Sequence, residues 1–329
     1  MRNLVKFSLV FCFIVIVLGA FTRLTDAGLG CPDWPGCYGF LSVPQSEARQ
    51  TVAIDAFPDA PLDTQKAWHE MIHRYAAGTL GFLVLAIAAV AIRRKLQAPQ
   101  SSKPTKLPII LLVLICFQAA LGMWTVTMML QPVIVMLHLL GGFATFSLLY
   151  LLYQRENDFR IPGGDLNLRK LRGLAALALV VVVGQIALGG WVAANYAAVA
   201  CTELPICEGP WLSRFDLGGA FSLPKAATYE FGVHSYAERM TMHVLHRLGA
   251  IVTTLVVGYL LYKLWHTARS NQFRTHTFII TLLLIVQLTL GVSNVVFSLP
   301  LAVAVAHNAV GALLLISLVG LNYNLSRKA

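Results

Sequence analysis

The segment LGAFTRLTDAGLGCPDWPGC, residues 18–37, returns later in the chain as LGGWVAANYAAVACTELPIC, residues 188–207. Both copies begin with Leu-Gly at the end of an apolar stretch. Both end in two cysteines separated by five residues, with a proline two residues before the second cysteine. This recurrence predicts that the chain contains two copies of one structural unit.

The composition excludes an ordinary soluble domain. The mean hydropathy is +0.70, and 57% of the residues are hydrophobic while only 12% are charged. A helix needs about 20 apolar residues to cross a bilayer. The stretches that meet this length are 5–24, 69–92, 107–129, 133–153, 173–195, 241–264, 276–297 and 301–321. We do not interpret the first as a signal peptide, because its counterpart in the repeat is internal.

Lysine and arginine residues predict the orientation in the membrane. Most of them lie on the same side as the N-terminus, in the segments that join every second span; Arg160, Arg327 and Lys328 are among them. Both termini are therefore expected in the cytoplasm and the long loops, 26–68 and 196–240, outside. The net charge of +10 reflects this topology, and we expect no nucleic-acid partner.

The four cysteines of the repeat all lie in the outer loops. An oxidising compartment favours disulfides, so the repeated spacing predicts two local bonds, Cys31–Cys37 and Cys201–Cys207. The remaining two, Cys12 and Cys116, lie within apolar helices and are expected to be small core residues.

The repeat continues beyond the cysteines. The residues that align are His73 with His246, Gln118 with Gln287, and His138 with His307. We therefore predict an all-α integral membrane protein whose eight transmembrane helices form two tandem pseudo-symmetric four-helix bundles. The predicted bundles are 1–153 and 173–329, joined by a cytoplasmic linker, 154–172.

Each predicted bundle carries one histidine on its second helix and one on its fourth. These pairs, His73 with His138 and His246 with His307, fall at similar depth near the outer surface. A single intramembrane histidine is often an interhelical hydrogen-bonding group, but two repeated pairs at one depth favour a functional site. Two imidazoles that face each other across a bundle suit the axial positions of a haem iron.

Arginines near the same boundary are candidate partners for the carboxylates of a haem. They are Arg23, Arg74, Arg239 and Arg247. The alternative is that these side chains extend to lipid headgroups.

The stretch HEMIH, residues 69–73, matches the zinc-protease pattern in which His69 and His73 bind zinc and Glu70 is the base. The second unit has no counterpart of His69, and a protease would not explain the other histidine pair. Glu70 instead aligns with His243, and each lies one helical turn before the predicted ligand. This difference predicts unequal tasks for the two sites.

These passages resemble the haem A synthase family over essentially the whole chain. The residues that carry the resemblance are GAFTRLTDAGLGCPDWPGCYG (19–39), HEMIHRYAAG (69–78), LHLLGG (137–142), LHRLGA (245–250) and AHNAVGA (306–312). The resemblance implies eight helices in two similar bundles. It also implies oxidation of the haem O methyl group to the formyl group of haem A, for terminal oxidase assembly.

The resemblance also implies residue roles. His73 and His138 would ligate the iron of substrate haem O, Glu70 would be catalytic, and His246 and His307 would ligate haem b. The implied partners are haem O synthase, terminal oxidase assembly factors, membrane lipid and an electron acceptor that the sequence does not identify. The implied location is the bacterial cytoplasmic (inner) membrane.

The residues alone indicate two bis-histidine haem sites and leave other functions open. A quinol-linked dihaem b-type electron carrier should have equivalent ligand pairs and no need for Glu70. Another alternative passes electrons from the Cys31–Cys37 disulfide to quinone, which leaves the histidines unexplained.

Overall fold

A computed structural model describes residues 1–100, 103–157 and 165–326. Arg160, Arg327, Lys328 and the middle of the predicted linker 154–172 lie outside these ranges. The helices in chain order are α1 (Arg2–Leu24), α2 (Glu47–Ala56), α3 (Thr64–Gln97), α4 (Lys106–Thr127), α5 (Pro132–Glu156), α6 (Arg172–Ala194), α7 (Leu217–Ala220), α8 (Tyr236–Thr267), α9 (Asn271–Val296) and α10 (Leu301–Ser326). Two 3-10 turns, Leu166–Leu171 and Trp211–Arg214, complete the regular structure of the described ranges.

The predicted helical membrane architecture is confirmed. Among the described residues, eight helices are long and apolar enough to cross a membrane, and no strand forms beyond an isolated bridge between Cys37 and Phe40. The chain is therefore a multi-pass membrane protein. The short helices α2 and α7 belong to the two long loops.

Helices α3 and α8 begin earlier than hydropathy predicts. Asp63 caps α3 by accepting hydrogen bonds from the backbone N–H groups of Gln65 and Lys66. Ser235 and Glu238 form a capping box at the start of α8. Hydropathy detects only the apolar part of each helix, whereas these caps satisfy free N–H groups in a polar first turn.

The eight long helices pack as two rings. In the first half α1 contacts α3, α3 contacts α4, α4 contacts α5, and α5 contacts α1. The second half repeats this order with α6, α8, α9 and α10. The halves meet where α5 touches α6 and α10, and where α1 touches α10. These contacts are compatible with two tandem four-helix bundles, and the domain boundaries remain a prediction.

One hydrophobic cluster draws side chains from all eight long helices and occupies a single end of the molecule. It includes Val5 near the start of α1, Leu149 in the second half of α5 and Leu318 in the second half of α10. In a membrane such a cluster is held by close packing rather than by exclusion of water. The other end of each ring is left for the histidines.

Four helices, α1, α4, α6 and α9, end in the same backbone conformation. In each of these helices the residue seven positions after the glycine of a Leu-Gly pair has a positive φ. These residues are Asp26, Met129, Tyr196 and Ser298. The next residue donates its N–H to the carbonyl five residues back, as in Ala27 to Thr22, Leu130 to Thr125, Ala197 to Val192, and Leu299 to Asn294. Such a bond closes a helix with a left-handed residue. The repeat is therefore fourfold at the backbone level, with one helical hairpin as its unit.

Candidate functional site

Each predicted haem ligand lies against the glycine of one of these four helix ends. The pairs are His73 with Gly19, His138 with Gly122, His246 with Gly189, and His307 with Gly291. A Cβ atom at Gly19 or Gly189 would lie 2.9 Å from Cε1 of the facing imidazole. Real Cβ atoms do not approach so closely, so a side chain there would displace the ring. The Leu-Gly that opens each copy of the repeat thus makes room for a histidine.

The histidines of each pair stand on opposite corners of their ring. Helices α3 and α5, which carry His73 and His138, are not neighbours in the first ring, and the same holds for α8 and α10 in the second. His73 lies against α1 and His138 against α4, and His246 and His307 repeat this arrangement with α6 and α9. The two histidines of each pair therefore belong to opposite sides of one ring.

The ring nitrogens of these histidines fit a metal-bound group. Nδ1 of His73, of His138 and of His307 is buried and has no hydrogen-bond partner among the described residues. A buried polar atom without a partner costs free energy unless a ligand satisfies it. Neutral imidazoles in facing pairs are the donor set of bis-histidine haem, so the residues present fit that group.

Glu70 is buried beside the first pair, with 5% of its surface exposed. Its Oε2 atom accepts a hydrogen bond of 2.8 Å from the Cys31 backbone N–H, and its Oε1 atom pairs with Arg74 at 2.5 Å. The carboxylate therefore joins the disulfide loop to α3 one turn from His73. The aligned His243 is also 5% exposed and lies beside the Ala197 carbonyl. The two halves thus differ in charge at this position.

Two of the predicted haem-carboxylate partners bind the disulfide loops. Arg74 donates to the carbonyl oxygens of Asp33 and Gly36. Arg247 donates to those of Cys201 and Glu203, both at 2.7 Å. Each guanidinium therefore holds a loop onto the helix that carries the neighbouring histidine. Contact of these two arginines with a haem carboxylate remains a prediction.

The other two arginines differ from each other. Arg23 donates to the Ala193 carbonyl at 2.7 Å and lies 3.9 Å from the centroid of the Tyr196 ring, so it joins α1 to the second half. Arg239 has no side-chain hydrogen bond or ion pair recorded among the described residues, and its Nε atom is buried. Seven residues separate Arg239 from His246, which places both on one face of α8. Contact of Arg239 with a haem carboxylate also remains a prediction.

Both predicted disulfides are present. The Cα atoms are 4.8 Å apart for Cys31–Cys37 and 5.0 Å apart for Cys201–Cys207, within the normal range for a disulfide. Cys12 and Cys116 are free thiols. Cys12 is buried, as predicted, whereas Cys116 is exposed on α4, so the prediction that it is a core residue is wrong.

The residues of HEMIH make separate contacts. His69 lies 3.3 Å from the Thr25 hydroxyl and packs edge-on against Phe21. Glu70 pairs with Arg74, and His73 faces Gly19. In the ranges that the structure describes, no three His, Cys, Asp or Glu residues cluster in a metal-binding arrangement. These contacts do not favour the zinc-protease alternative.

Two glutamines lie close to a histidine, and a third packs against Gly141, one turn beyond His138; none was identified as functional from the sequence. They are Gln118, Gln185 and Gln287, each four residues before a histidine-facing glycine. The sequence contains the pattern Gln-x-x-Leu-Gly at all three positions. Its meaning was missed because a glutamine in an apolar helix does not indicate which neighbouring helix its side chain contacts.

Known proteins resemble this chain over nearly its full length. A family model described as cytochrome oxidase assembly protein matches residues 2–319. A protein named "Heme A synthase" from Shewanella oneidensis is 50% identical over 328 residues, which cover 99% of this chain and 97% of the relative. Proteins of the same name from Chelativorans sp. and Halalkalibacterium halodurans are 28% and 26% identical, over 92% and 95% of this chain and 84% and 93% of theirs.

Proposed function

The chain belongs to the cytochrome oxidase assembly protein family, and we propose that it acts as a haem A synthase, a membrane oxidoreductase that converts haem O to haem A. The observation that carries this proposal is the pair of similar histidine sites, of which one has a buried carboxylate beside it. The repeat explains two haem sites, and Glu70 explains why they differ.

In the proposal, the first half holds the substrate. His73 and His138 bind the iron of haem O and orient the porphyrin between α3 and α5. Bound haem supplies the redox chemistry. The chain supplies the walls of the ring, the loop closed by Cys31–Cys37, and the Glu70 carboxylate.

Glu70 is suited to hold or accept a proton near the reacting methyl group. Its two oxygen atoms have fixed partners, the Cys31 N–H and the Arg74 guanidinium. Such contacts keep a buried carboxylate oriented and compensate its charge. A group fixed in this way needs no rearrangement when charge or protons move beside it.

The second half holds haem b as the resident cofactor through His246 and His307. Arg239 is the proposed partner of a haem carboxylate, because its guanidinium has no partner recorded in the described part of the chain. His243 replaces the carboxylate of the first half, so this site lacks a fixed negative charge next to its ligand. His246 and His307 would hold the haem b iron, and the bound group would supply electron-transfer chemistry.

We place the protein in the bacterial inner membrane with both termini in the cytoplasm, on the basis of its basic segments and its bacterial relatives. Haem O then comes from a haem O synthase, and haem A passes to the assembly of a terminal oxidase. An electron acceptor completes the reaction. The outer loops and both histidine sites face the non-cytoplasmic side in this arrangement.

The principal alternative is a dihaem electron carrier. A carrier would also use the two histidine pairs, and it would work with equivalent sites. The difference between Glu70 and His243 has no purpose in such a protein. The test therefore centres on Glu70.

Glu70→Gln preserves the volume of the side chain and removes its charge. Membranes that contain haem O and this variant should keep the haem b spectrum and lose haem A production, with haem O or its alcohol accumulating. Chromatography of the extracted haems measures all three products. His243→Gln, at the aligned position of the second half, is the matched control. It should leave haem A production within about twofold of wild type, because a general disturbance of the fold would affect both positions whereas a catalytic role belongs to Glu70. A normal haem A yield from Glu70→Gln would remove Glu70 from catalysis and favour the carrier.

A further inference from the structure

Three of the four helices that end at a histidine-facing glycine carry a glutamine one turn earlier. These residues are Gln118 on α4, Gln185 on α6 and Gln287 on α9, whereas α1 has Val15 at the corresponding position. Residues four apart lie on the same face of a helix. Each glutamine therefore faces the same neighbouring helix as the glycine that follows it.

The glutamines of the second half reach their histidines. Nε2 of Gln185 lies 3.1 Å from Nδ1 of His246 and donates to the backbone oxygen of the same residue at 2.9 Å. Nε2 of Gln287 lies 3.3 Å from Nε2 of His307. In each case the amide occupies one ring nitrogen and leaves the other for a ligand.

The first half lacks these contacts. Val15 has no polar atom to offer His73, and Nε2 of Gln118 is buried with no partner among the described residues. Nδ1 of His73 and of His138 is buried and has no hydrogen-bond partner in the described ranges; this also holds for Nδ1 of His307, whose Nε2 atom nevertheless faces Gln287. The two histidine pairs thus differ in support as well as in the charge beside them.

Glycines hold all three glutamines against the histidine helices. Gly141, Gly249 and Gly311 lie about one turn beyond His138, His246 and His307. A Cβ atom at Gly141 would overlap the amide of Gln118, one at Gly249 would overlap that of Gln185, and one at Gly311 would lie 3.4 Å from Nε2 of Gln287. The amide groups are therefore packed into the helix contact in both halves, and the halves differ in whether the amide reaches the imidazole.

A histidine that binds iron through one ring nitrogen carries its proton on the other, and that N–H needs an acceptor. The Oε1 atom of Gln287 is buried and has no hydrogen-bond partner among the described residues. Because the oxygen and nitrogen of a side-chain amide are assigned by their contacts, a rotation of the Gln287 amide brings Oε1 to the ring of His307. The same rotation of Gln185 would place Oε1 against the His246 backbone oxygen to which its Nε2 donates, so the acceptor argument applies to Gln287. The acceptor then fixes both the tautomer and the orientation of the imidazole.

We propose that Gln287 is a positioning residue that locks His307 as an iron ligand, and that the lack of such support leaves His73 and His138 able to release haem. The inference rests on the proposed function, in which one haem stays and the other is exchanged. The difference between the two halves then comes from the helix contacts. The second half, where a glutamine holds a histidine, keeps its haem, and the first half, which lacks this hydrogen bond, binds the substrate haem and releases the product.

The test measures the release of haem b from the purified full-length protein to an excess of apomyoglobin. Gln287→Leu removes the acceptor, and release should accelerate by about 10- to 100-fold, the usual effect of losing a hydrogen bond to a metal ligand. Gln118→Leu is the matched control in the first half and should leave the rate unchanged. Gln287→Glu keeps an acceptor oxygen at nearly constant volume and should retain slow release.

Two results would overturn the proposal. One is release at the wild-type rate from Gln287→Leu. The other is equal acceleration by Gln287→Leu and Gln287→Glu, which would indicate a packing effect only. Gln287→Met supplies a second apolar variant of similar length if leucine prevents folding. The assay requires only that the wild-type protein holds haem b. A protein that retains haem b but makes no haem A would contradict the proposed function without affecting this result.

Discussion

At the residue scale, four contacts between a glycine and a histidine determine where the imidazoles lie. The glycine comes from the last turns of one helix and the histidine from the helix that follows it in the same hairpin. Leu-Gly precedes the left-handed helix end by the same number of residues in all four hairpins. A short sequence element therefore fixes both the end of a helix and the space for a ligand.

We expect valine at these glycines to act separately on the two sites. Gly189→Val should displace His246 and abolish the low-spin haem b spectrum, because even a Cβ atom there would lie 2.9 Å from the ring. Gly19→Val should displace His73, leaving the haem b spectrum and removing haem A production. Gly78→Val on α3 is the control, since nothing lies within 4 Å of a Cβ atom at that position. The measurements are absorption spectra of the purified variants and chromatography of their haems.

The contrary outcome is also specific. Loss of haem b in Gly19→Val with retention in Gly189→Val would reverse the assignment of the two halves.

At the element scale, the sequence predicted the membrane spans and the disulfide loops, but it did not predict which groups the arginine side chains contact. Hydropathy locates an apolar helix without reference to its neighbours, and the cysteine spacing is a local property of each loop. The role of Arg74 and Arg247 depends on loop carbonyls that converge only after folding. The polar first turns of α3 and α8 were not predicted either. A capped polar turn lengthens a helix without adding the apolar residues by which hydropathy detects a membrane span.

Arg247→Ala should loosen the loop closed by Cys201–Cys207. The variant removes the hydrogen bonds that Arg247 donates to Cys201 and Glu203, each worth about 1.5–3 kcal/mol for a charged donor before solvent replaces the lost contacts. Hydrogen exchange of the amides in 201–207 should therefore be faster than in the wild type. Arg247→Lys keeps the charge but lacks the planar fork that spans several carbonyls, and it should restore protection only in part.

An unchanged exchange rate in Arg247→Ala, combined with loss of haem b, would show that this arginine acts on the haem and not on the loop. That outcome would support the contact expected from the sequence.

At the scale of the whole molecule, one apolar core and two polar sites lie at opposite ends of the same eight helices. The core joins all the long helices, and the two halves are also joined by hydrogen bonds from Arg23 to the Ala193 carbonyl and from the Tyr229 N–H to the Met129 carbonyl. The twofold repeat was predictable because cysteines and histidines recur in order. The fourfold repeat of hairpins was not predicted, since its marks are glycine contacts and left-handed residues that emerge only in three dimensions.

The central claim is that the second half keeps haem b while the first half holds the haem that reacts. The most direct measurement is the haem content and the products of four single variants, purified from membranes supplied with haem O. His246→Ala and His307→Ala should lose the low-spin haem b spectrum. His73→Ala and His138→Ala should keep that spectrum and leave haem O unconverted. Loss of haem b in either first-half variant, or a full haem b spectrum in both second-half variants, would contradict the account.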